Sequence, residues 1–457
     1  MTQQDIQHLY WRAGFGLTPK QYALKTQDNR DTIIDGLFKA SEITTMLDID
    51  TSDFEELLTP ALAKDAAKRK LIRQISTKKL KTYNRLWLNR LETSNQILRE
   101  KMTLFWANHF VCRDNNILFV KTFNNTLRAH ALGNFGDFVK AISKEAAMLK
   151  YLNNKQNRKL KPNENFAREL MELFMLGEGH YTERDIKESA RAFTGYNHTV
   201  KGQFVLRKRQ HDYGIKTFFR NTGRFSGDDI IDIILQQKQC ARFICQSIYK
   251  YFVNETINTE RLEELATVFF KDYNIENLMR HLFMSDWFYS EENIGVKIKS
   301  PIELLIGIGK TVPIKFNDEK DQLKIQKLLG QILLNPPNVA GWKGGKNWID
   351  SNTLMLRLKL PSILLANAHI SIKEKGEFED SFDIYNYRKR PSRFANVSVD
   401  WNNFEEQFSG YSSQELKTFL MASKLNKGTE NYLETLNKSS HMELCVQLMS
   451  LPEYQMC

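Results

Sequence analysis

The sequence predicts an all-α protein: a multi-helix bundle with one small β-hairpin insertion and long ordered loops. Three observations carry that expectation. Apolar residues recur at helical spacing through most of the chain, and only 10 of 457 residues are proline. Strand-like alternation is confined to one short stretch, Gly202–Lys208. With 42% hydrophobic residues at this length, the chain buries a sizeable core and has room for more than one domain.

Each element follows from local signals. Thr18 before Pro19 is an N-cap with proline at the first helical position. From Pro60 to Cys112 breakers are few and apolar spacing repeats (Leu71, Ile72, Ile75, Leu80, Tyr83, Leu86, Trp87), which predicts long helices broken near Thr93–Ser94. Two more helices are expected over Asn115–Leu132 and Asn134–Asn153, on either side of Gly133. Between Asn163 and Tyr196 two short helices join at Gly177–Tyr181, and Thr182 with Asp185 forms a capping box for the second, which ends at Gly195. Gly202–Lys208 is expected to pair as a hairpin with Lys216–Arg220. Ser226 caps a helix running into Gln237, and amphipathic patterns follow near 238–253, 258–272, 274–286, 300–312 and 321–334. The expected organisation is a main helical domain over 1–368, an irregular polar linker over 369–410, and a C-terminal helical segment, 411–457, packed on the main domain.

Charge and motif content exclude several classes. The net charge of +11 is uneven: ten basic residues face one acid between Ala61 and Leu91, and a second basic run spans Lys201–Arg224. Such surfaces suit an acidic polymer or acidic protein, but nucleic acid is disfavoured because no helix-turn-helix, zinc finger or single-strand-binding motif accompanies them. No apolar run approaches the roughly 20 residues that cross a bilayer. The segment MTQQDIQHLYWRAGFG carries no Sec-type signal, so the expected location is cytoplasmic. Five cysteines, with no CxxC motif, indicate neither a disulfide framework nor a zinc knuckle. There is no GxSxG, Walker loop, HExxH or dinucleotide fingerprint.

The densest group of ionisable residues lies in NENFARELMELFMLGEGHYTERDIKESARAFTGY. On the first helix Glu169 and Glu172 are three apart, so their carboxylates can converge, which is the spacing that suits a divalent metal ion or general-acid work. The plainer alternative is a solvated arc paired with Arg168. His109 shares a helix face with Phe105 and Trp106, and His130 lies near a helix end where the carboxyl-terminal dipole favours it. His180 sits in the loop between the charged helices. His211 beside Asp212 is a poor dyad in a turn. In LNPPNVAGWKGGKNWIDS the tryptophans, Trp342 among them, either plug the core or stack on a ligand.

HLYWRAGFGLTP, REKMTLFWANHF, RAHALGNF, the charged stretch above, HDYGIKTF and LNPPNVAGW together resemble the ordered signatures of a bacterial family known as domain of unknown function 1800, over practically the whole chain. The resemblance implies a mostly helical fold with no established reaction. It implies exported relatives, often encoded beside a protein resembling the sulfatase and alkaline phosphatase superfamily. Because this sequence starts directly at the resembling region, export is not expected of it. The resemblance also adds weight to Glu164, Asn165, Arg168, Glu169, Glu172, Arg191 and His109 as one polar centre.

Two functions are therefore expected. One is an enzyme with Glu169, Glu172, His109, Arg168 and Arg191 as catalytic residues. In it Glu169, Glu172 and His109 are candidate metal ligands, and Glu164, Asn165, His130, His180, His211 and Trp342 are candidate binding residues. It would act on a polar or anionic substrate by metal-assisted or acid–base chemistry. The other is a non-catalytic binding or accessory protein whose charged stretch is a structural ion-pair network. Its partner would be sulfatase- or phosphatase-like, or an acidic polymer.

Overall fold

A computed structural model describes residues 1–59, 66–366, 394–434 and 440–457. The chain opens with α1 (Gln3–Ala13), α2 (Pro19–Lys25), α3 (Arg30–Ala40) and α4 (Ser52–Glu56), and Thr18 caps α2 in a capping box with Gln21. The long α5 (Ala66–Thr93) and α6 (Ile97–His109) break where the sequence places the break. α7 (Ile117–His130) follows, capped by Asn116. The single helix expected over Asn134–Asn153 is instead two, α8 (Phe135–Ile142) and α9 (Ala146–Tyr151). No Gly or Pro marks this break. The Ser143 hydroxyl donates to the Lys140 carbonyl (2.8 Å), a local bond that competes with continuation of the helix.

The charged stretch forms α10 (Asn165–Glu169), which widens into a π-helix over Leu170–Met175, and then α11 (Glu183–Ala192), whose Thr182–Asp185 capping box is present. The β pairing differs from expectation. β1 (Tyr196–His198) pairs antiparallel with β2 (Phe204–Leu206), and β3 (Lys216–Phe218) pairs with β4 (Asn221–Gly223), so 202–208 and 216–220 are not partners. The Thr199–Gly202 turn, closed by Gly202 N–H to Thr199 O (3.1 Å), folds β2 back onto the chain it has just left. A near neighbour in sequence is captured before the more distant strand.

The rest is helical: α12 (Gly227–Leu235), α13 (Lys238–Phe252), α14 (Thr259–Phe270), α15 (Ile275–Met284), α16 (Pro301–Thr311), α17 (Glu319–Leu329) and α18 (Ser351–Leu365). Of the linker expected over 369–410, positions 369–393 lie outside the described residues. From 394 onward the chain forms β6 (Val397–Val399), which pairs with β5 (Ile314–Phe316), and then α19 (Trp401–Phe408). α20 (Ser413–Leu420), α21 (Lys427–Glu434) and α22 (His441–Met449) complete the fold, and α22 packs on α18. The architecture is all-α with small two-stranded additions. No helix among the described residues is long and apolar enough to cross a membrane, and all five cysteines are free.

α6 holds the centre. Trp106 is fully buried against Phe110, Phe135 and Phe138, and its indole N–H donates to the Ala131 carbonyl (3.0 Å). Three consecutive charged residues, Arg99, Glu100 and Lys101, are also buried. Arg128 of α7 grips Glu100 through two hydrogen bonds (2.7 and 3.1 Å), with neither side chain exposed. Trp87 and Arg90 of α5 donate to the same carboxylate (3.3 and 3.1 Å). Arg99 donates to carbonyls of Ser41 and Arg128.

Removing one partner of such a pair leaves an uncompensated buried charge, at a cost of about 3–5 kcal/mol. Glu100→Ala is therefore expected to destabilise the fold by that order in denaturant unfolding, and a loss below about 1 kcal/mol would show that the pair is not the anchor.

Candidate functional site

Four segments enclose a cleft of about 460 Å³. α6 contributes Phe105, Asn108 and His109, on the helical face that also carries Lys101. The last turns of α13 contribute Ser247, Lys250 and Tyr251. The approach to α16 adds Lys297, Ser300 and Glu303, and the loop after α17 adds Trp342, Lys343 and Trp348.

Glu303 is the third residue of the α16 capping box, so the helix start aims it. One carboxylate oxygen accepts from Ser300 N–H (2.7 Å), and the other accepts from Lys101. Lys101 also donates to the Gly14 carbonyl (2.8 Å). Burial acts to raise the Glu303 carboxyl, but Lys101, then Lys297 and the Ser300 N–H, bring it down to about 2. It is a fixed anion.

The cations around it outnumber it. The Lys297 ammonium donates to the Lys250 carbonyl (2.7 Å), one of the free carbonyls at the end of α13. Burial, aided by Arg12 and Lys101 and opposed by Glu303 and Cys457, brings Lys297 down to about 8. Behind it Lys299 donates to the Tyr454 carbonyl (2.7 Å) and lies 4.0 and 3.8 Å over the rings of Trp11 and Tyr454. Burial lowers Lys299 to about 7, against the pull of Cys457 and Glu303. Arg357, also buried, donates to the Lys299 carbonyl (2.6 Å). Positive charge is thus concentrated at one wall of the cleft.

His109 also lines the cleft. Its Nε2 lies 2.9 Å from the Phe174 carbonyl. A carbonyl only accepts, so Nε2 carries the proton and Nδ1 keeps a lone pair. Burial lowers this imidazole to about 4, despite the Phe174 bond, so it is neutral near pH 7. Phe174 belongs to the π-helix, so a widened turn of the charged stretch reaches the cleft at His109. Asn108, one residue earlier, accepts from Trp342 N–H (2.7 Å) and donates to Trp342 O (3.0 Å), docking the loop on α6. Gly341 is required there: it has φ +73°, and a Cβ would overlap the Asn108 side chain.

The candidates from sequence divide. His109 and Trp342 line the cleft. The others are elsewhere. Arg168 makes a bidentate pair with Glu183 (2.9 and 3.0 Å) and a weaker contact with Glu164 (3.4 Å), on a half-exposed surface. Glu172 accepts from the Tyr181 hydroxyl (2.8 Å). Glu169 is half-buried, and its carboxyl is raised by burial and then by Glu172, against Arg168. Asn165 is exposed, with its N–H on the Asn163 side chain. Arg191 pairs with Asp212 (2.7 Å) and Glu188 (2.9 Å), joining α11 to the β3 side of the insertion. His211 is buried and bonds the Thr194 carbonyl through Nδ1 (2.7 Å). His130 stacks on Phe138 at 5.4 Å and is lowered by burial. His180 is exposed.

Among the described residues no group of three or more His, Cys, Asp or Glu side chains is placed to hold a metal ion, so Glu169, Glu172 and His109 do not form the expected ligand set. The physical reason is that His109 turns inward to the Phe174 carbonyl, while Glu172 turns to Tyr181.

Sequence reasoning passed over Lys101, Lys250, Lys297, Glu303 and Lys343. A lysine on its own reads as solvated. The available signal was the Ser300–Glu303 capping box directly after VKIK, which placed a carboxylate beside two lysines.

A bundle of helices around a lysine-walled cleft, closed by a tryptophan-bearing loop, is the class of molecule these observations define. The chain belongs to the family described as a protein of unknown function (DUF1800), whose model matches residues 8–456. No curated protein and no solved structure matches the chain.

Two outcomes are expected. A lysine whose folded pKa lies below its unfolded value binds fewer protons folded than unfolded between the two, so stability rises with pH in that window. Lys297 and Lys299, lowered to about 8 and 7, should make the Tm rise from pH 7 to 9, and Lys297→Met should shrink the rise. A flat or falling Tm in the native chain contradicts this. Asn108→Ala, which leaves the Trp342 backbone groups without their partner, is expected to cost about 1–3 kcal/mol and to increase protease cleavage near Trp342.

Proposed function

We propose that this cleft is the working site, that it binds a small polar ligand bearing negative charge, and that the protein performs acid–base chemistry on it. The observation that carries the reading is the cleft itself. Lys250, Lys297 and Lys343 line it, while Glu303, its buried carboxylate, is already committed to Lys101 and the Ser300 N–H. Lys250 and Lys343 are exposed and form no ion pair among the described residues. The other carboxylate of the cleft, Glu255, is exposed and forms no ion pair among the described residues, so a ligand anion meets three lysines against one uncommitted carboxylate.

The residues divide the work by protonation state. Lys297, at about 8, can hold or release a proton near neutral pH, which suits general acid–base work. His109 stays neutral and offers Nδ1 as an acceptor, orienting a ligand hydroxyl or amine. Trp342 and Trp348 give the cleft an apolar side.

A second reading, docking of an acidic protein or polymer, is favoured by a different feature. A surface groove of about 670 Å³ is lined by His180, Arg184 and Arg220, with Asp185 engaged by Thr182 and Phe219 N–H. A sulfatase- or phosphatase-like partner belongs to this reading.

The two are separated by titration with sulfate, phosphate and small carboxylates, followed by tryptophan fluorescence. Saturable binding weakened at least tenfold by Lys297→Met combined with Lys343→Met, and unchanged by Arg184→Ala with Arg220→Ala, supports the cleft. Saturable binding with the opposite pattern moves the function to the groove, and no saturable binding at all removes the cleft proposal.

A further inference from the structure

Lys297 differs from the other cleft lysines in how it is held. Its backbone is bonded to Cys457 in both directions: Lys297 N–H donates to Cys457 O (3.2 Å), and Cys457 N–H donates to Lys297 O (2.8 Å). Its Nζ is anchored on the Lys250 carbonyl (2.7 Å) and lies 5.4 Å from the centre of the Tyr251 ring. Lys250 and Lys343, by contrast, are exposed. The cleft therefore pairs one positioned amine with two exposed cations. The groups acting on that amine are Arg12 and Lys101, which disfavour its protonation, and Glu303 and Cys457, which favour it. Glu303 is held by Lys101 and Ser300, so it does not lie free to cap Lys297.

We propose that Lys297 is a nucleophile, and that the ligand class of the cleft is a small oxo acid, an aldehyde or ketone bearing a carboxylate. This rests on the cleft reading above and deepens it. The neutral amine attacks the carbonyl carbon, forming a C–N bond as the C=O π pair moves to oxygen. The carbinolamine then loses that oxygen as water, taking up one proton from solvent, and leaves an iminium joining Lys297 to the ligand. Lys250 and Lys343 hold the carboxylate. No oxidant or reductant is consumed.

An amine partly withdrawn from water, as Lys297 is, beside other cations is the environment in which lysine reacts as a free base near neutrality. With Lys297 lowered to about 8, it holds roughly two hundredfold more free amine at pH 7.5 than an ordinary exposed lysine near 10.4.

The test is reductive trapping. The full chain is incubated with glyoxylate, the probe, and cyanoborohydride near pH 7.5, and digested peptides are read by mass spectrometry. Labelling at Lys297 at least tenfold faster than at Lys250 or Lys343 is the expected result. Lys297→Arg, which keeps the charge and a donor to the Lys250 carbonyl, should lose that labelling while Lys250 and Lys343 keep their slow background. Glyoxylate binding is followed in parallel by tryptophan fluorescence without the reductant. Saturable binding with Lys297 labelled no faster than its neighbours overturns the nucleophile and leaves the anion cleft standing. Neither binding nor selective labelling overturns both.

Discussion

The structure depends on burying charge on one helix in two directions. α6 carries Glu100 and Lys101 side by side, and successive helix residues point about a quarter-turn apart. Glu100 is locked to Arg128, Arg90 and Trp87, which fixes α6 against α5 and α7. Lys101 is locked to Glu303 and to backbone carbonyls near the end of α1, which fixes α6 against α1 and α16. A buried pair adds little net stability over an apolar substitute, but it is intolerant of misplacement. It therefore specifies which helices meet and in what register, and the position of Asn108 and His109 two turns further along follows from it.

The cleft shows how scaffold and chemistry share the same residues. Glu303 closes a capping box, neutralises Lys101 and helps set the protonation of Lys297 and Lys299. Its pairing with Lys101 leaves the remaining cations under-compensated, and that imbalance makes the cleft attractive to an anion. Gly341 and Asn108 then seat the tryptophan loop over the same space.

The charged stretch turns out to face mostly its own neighbourhood. Arg168 joins α10 to α11 through Glu183, and Arg191 joins α11 to the β insertion through Asp212. Arg168 is half-exposed and Glu183 exposed, so solvent screens their pairing. This stretch meets the cleft at Phe174 of the π-helix, whose carbonyl bonds His109 and whose ring lies 6.3 Å from the imidazole.

The sequence by itself determined most of the helices and several of their starts. Caps at Thr18, Thr182 and Ser226 are local hydrogen-bonding events, legible from a few neighbouring residues. It also marked His109 and Trp342, which do line the cleft. It did not reveal the pairing of β1 with β2, the break at Ser143, or β6 beside β5, where competing contacts decide between similar local preferences. Nor did it reveal that the carboxylate beside His109's cleft is Glu303 and not Glu169 or Glu172. Which side of a helix becomes interior is set by the helices packed against it, so the burial of Lys101, Lys297 and Lys299 appears only when segments some 200 residues apart are folded together.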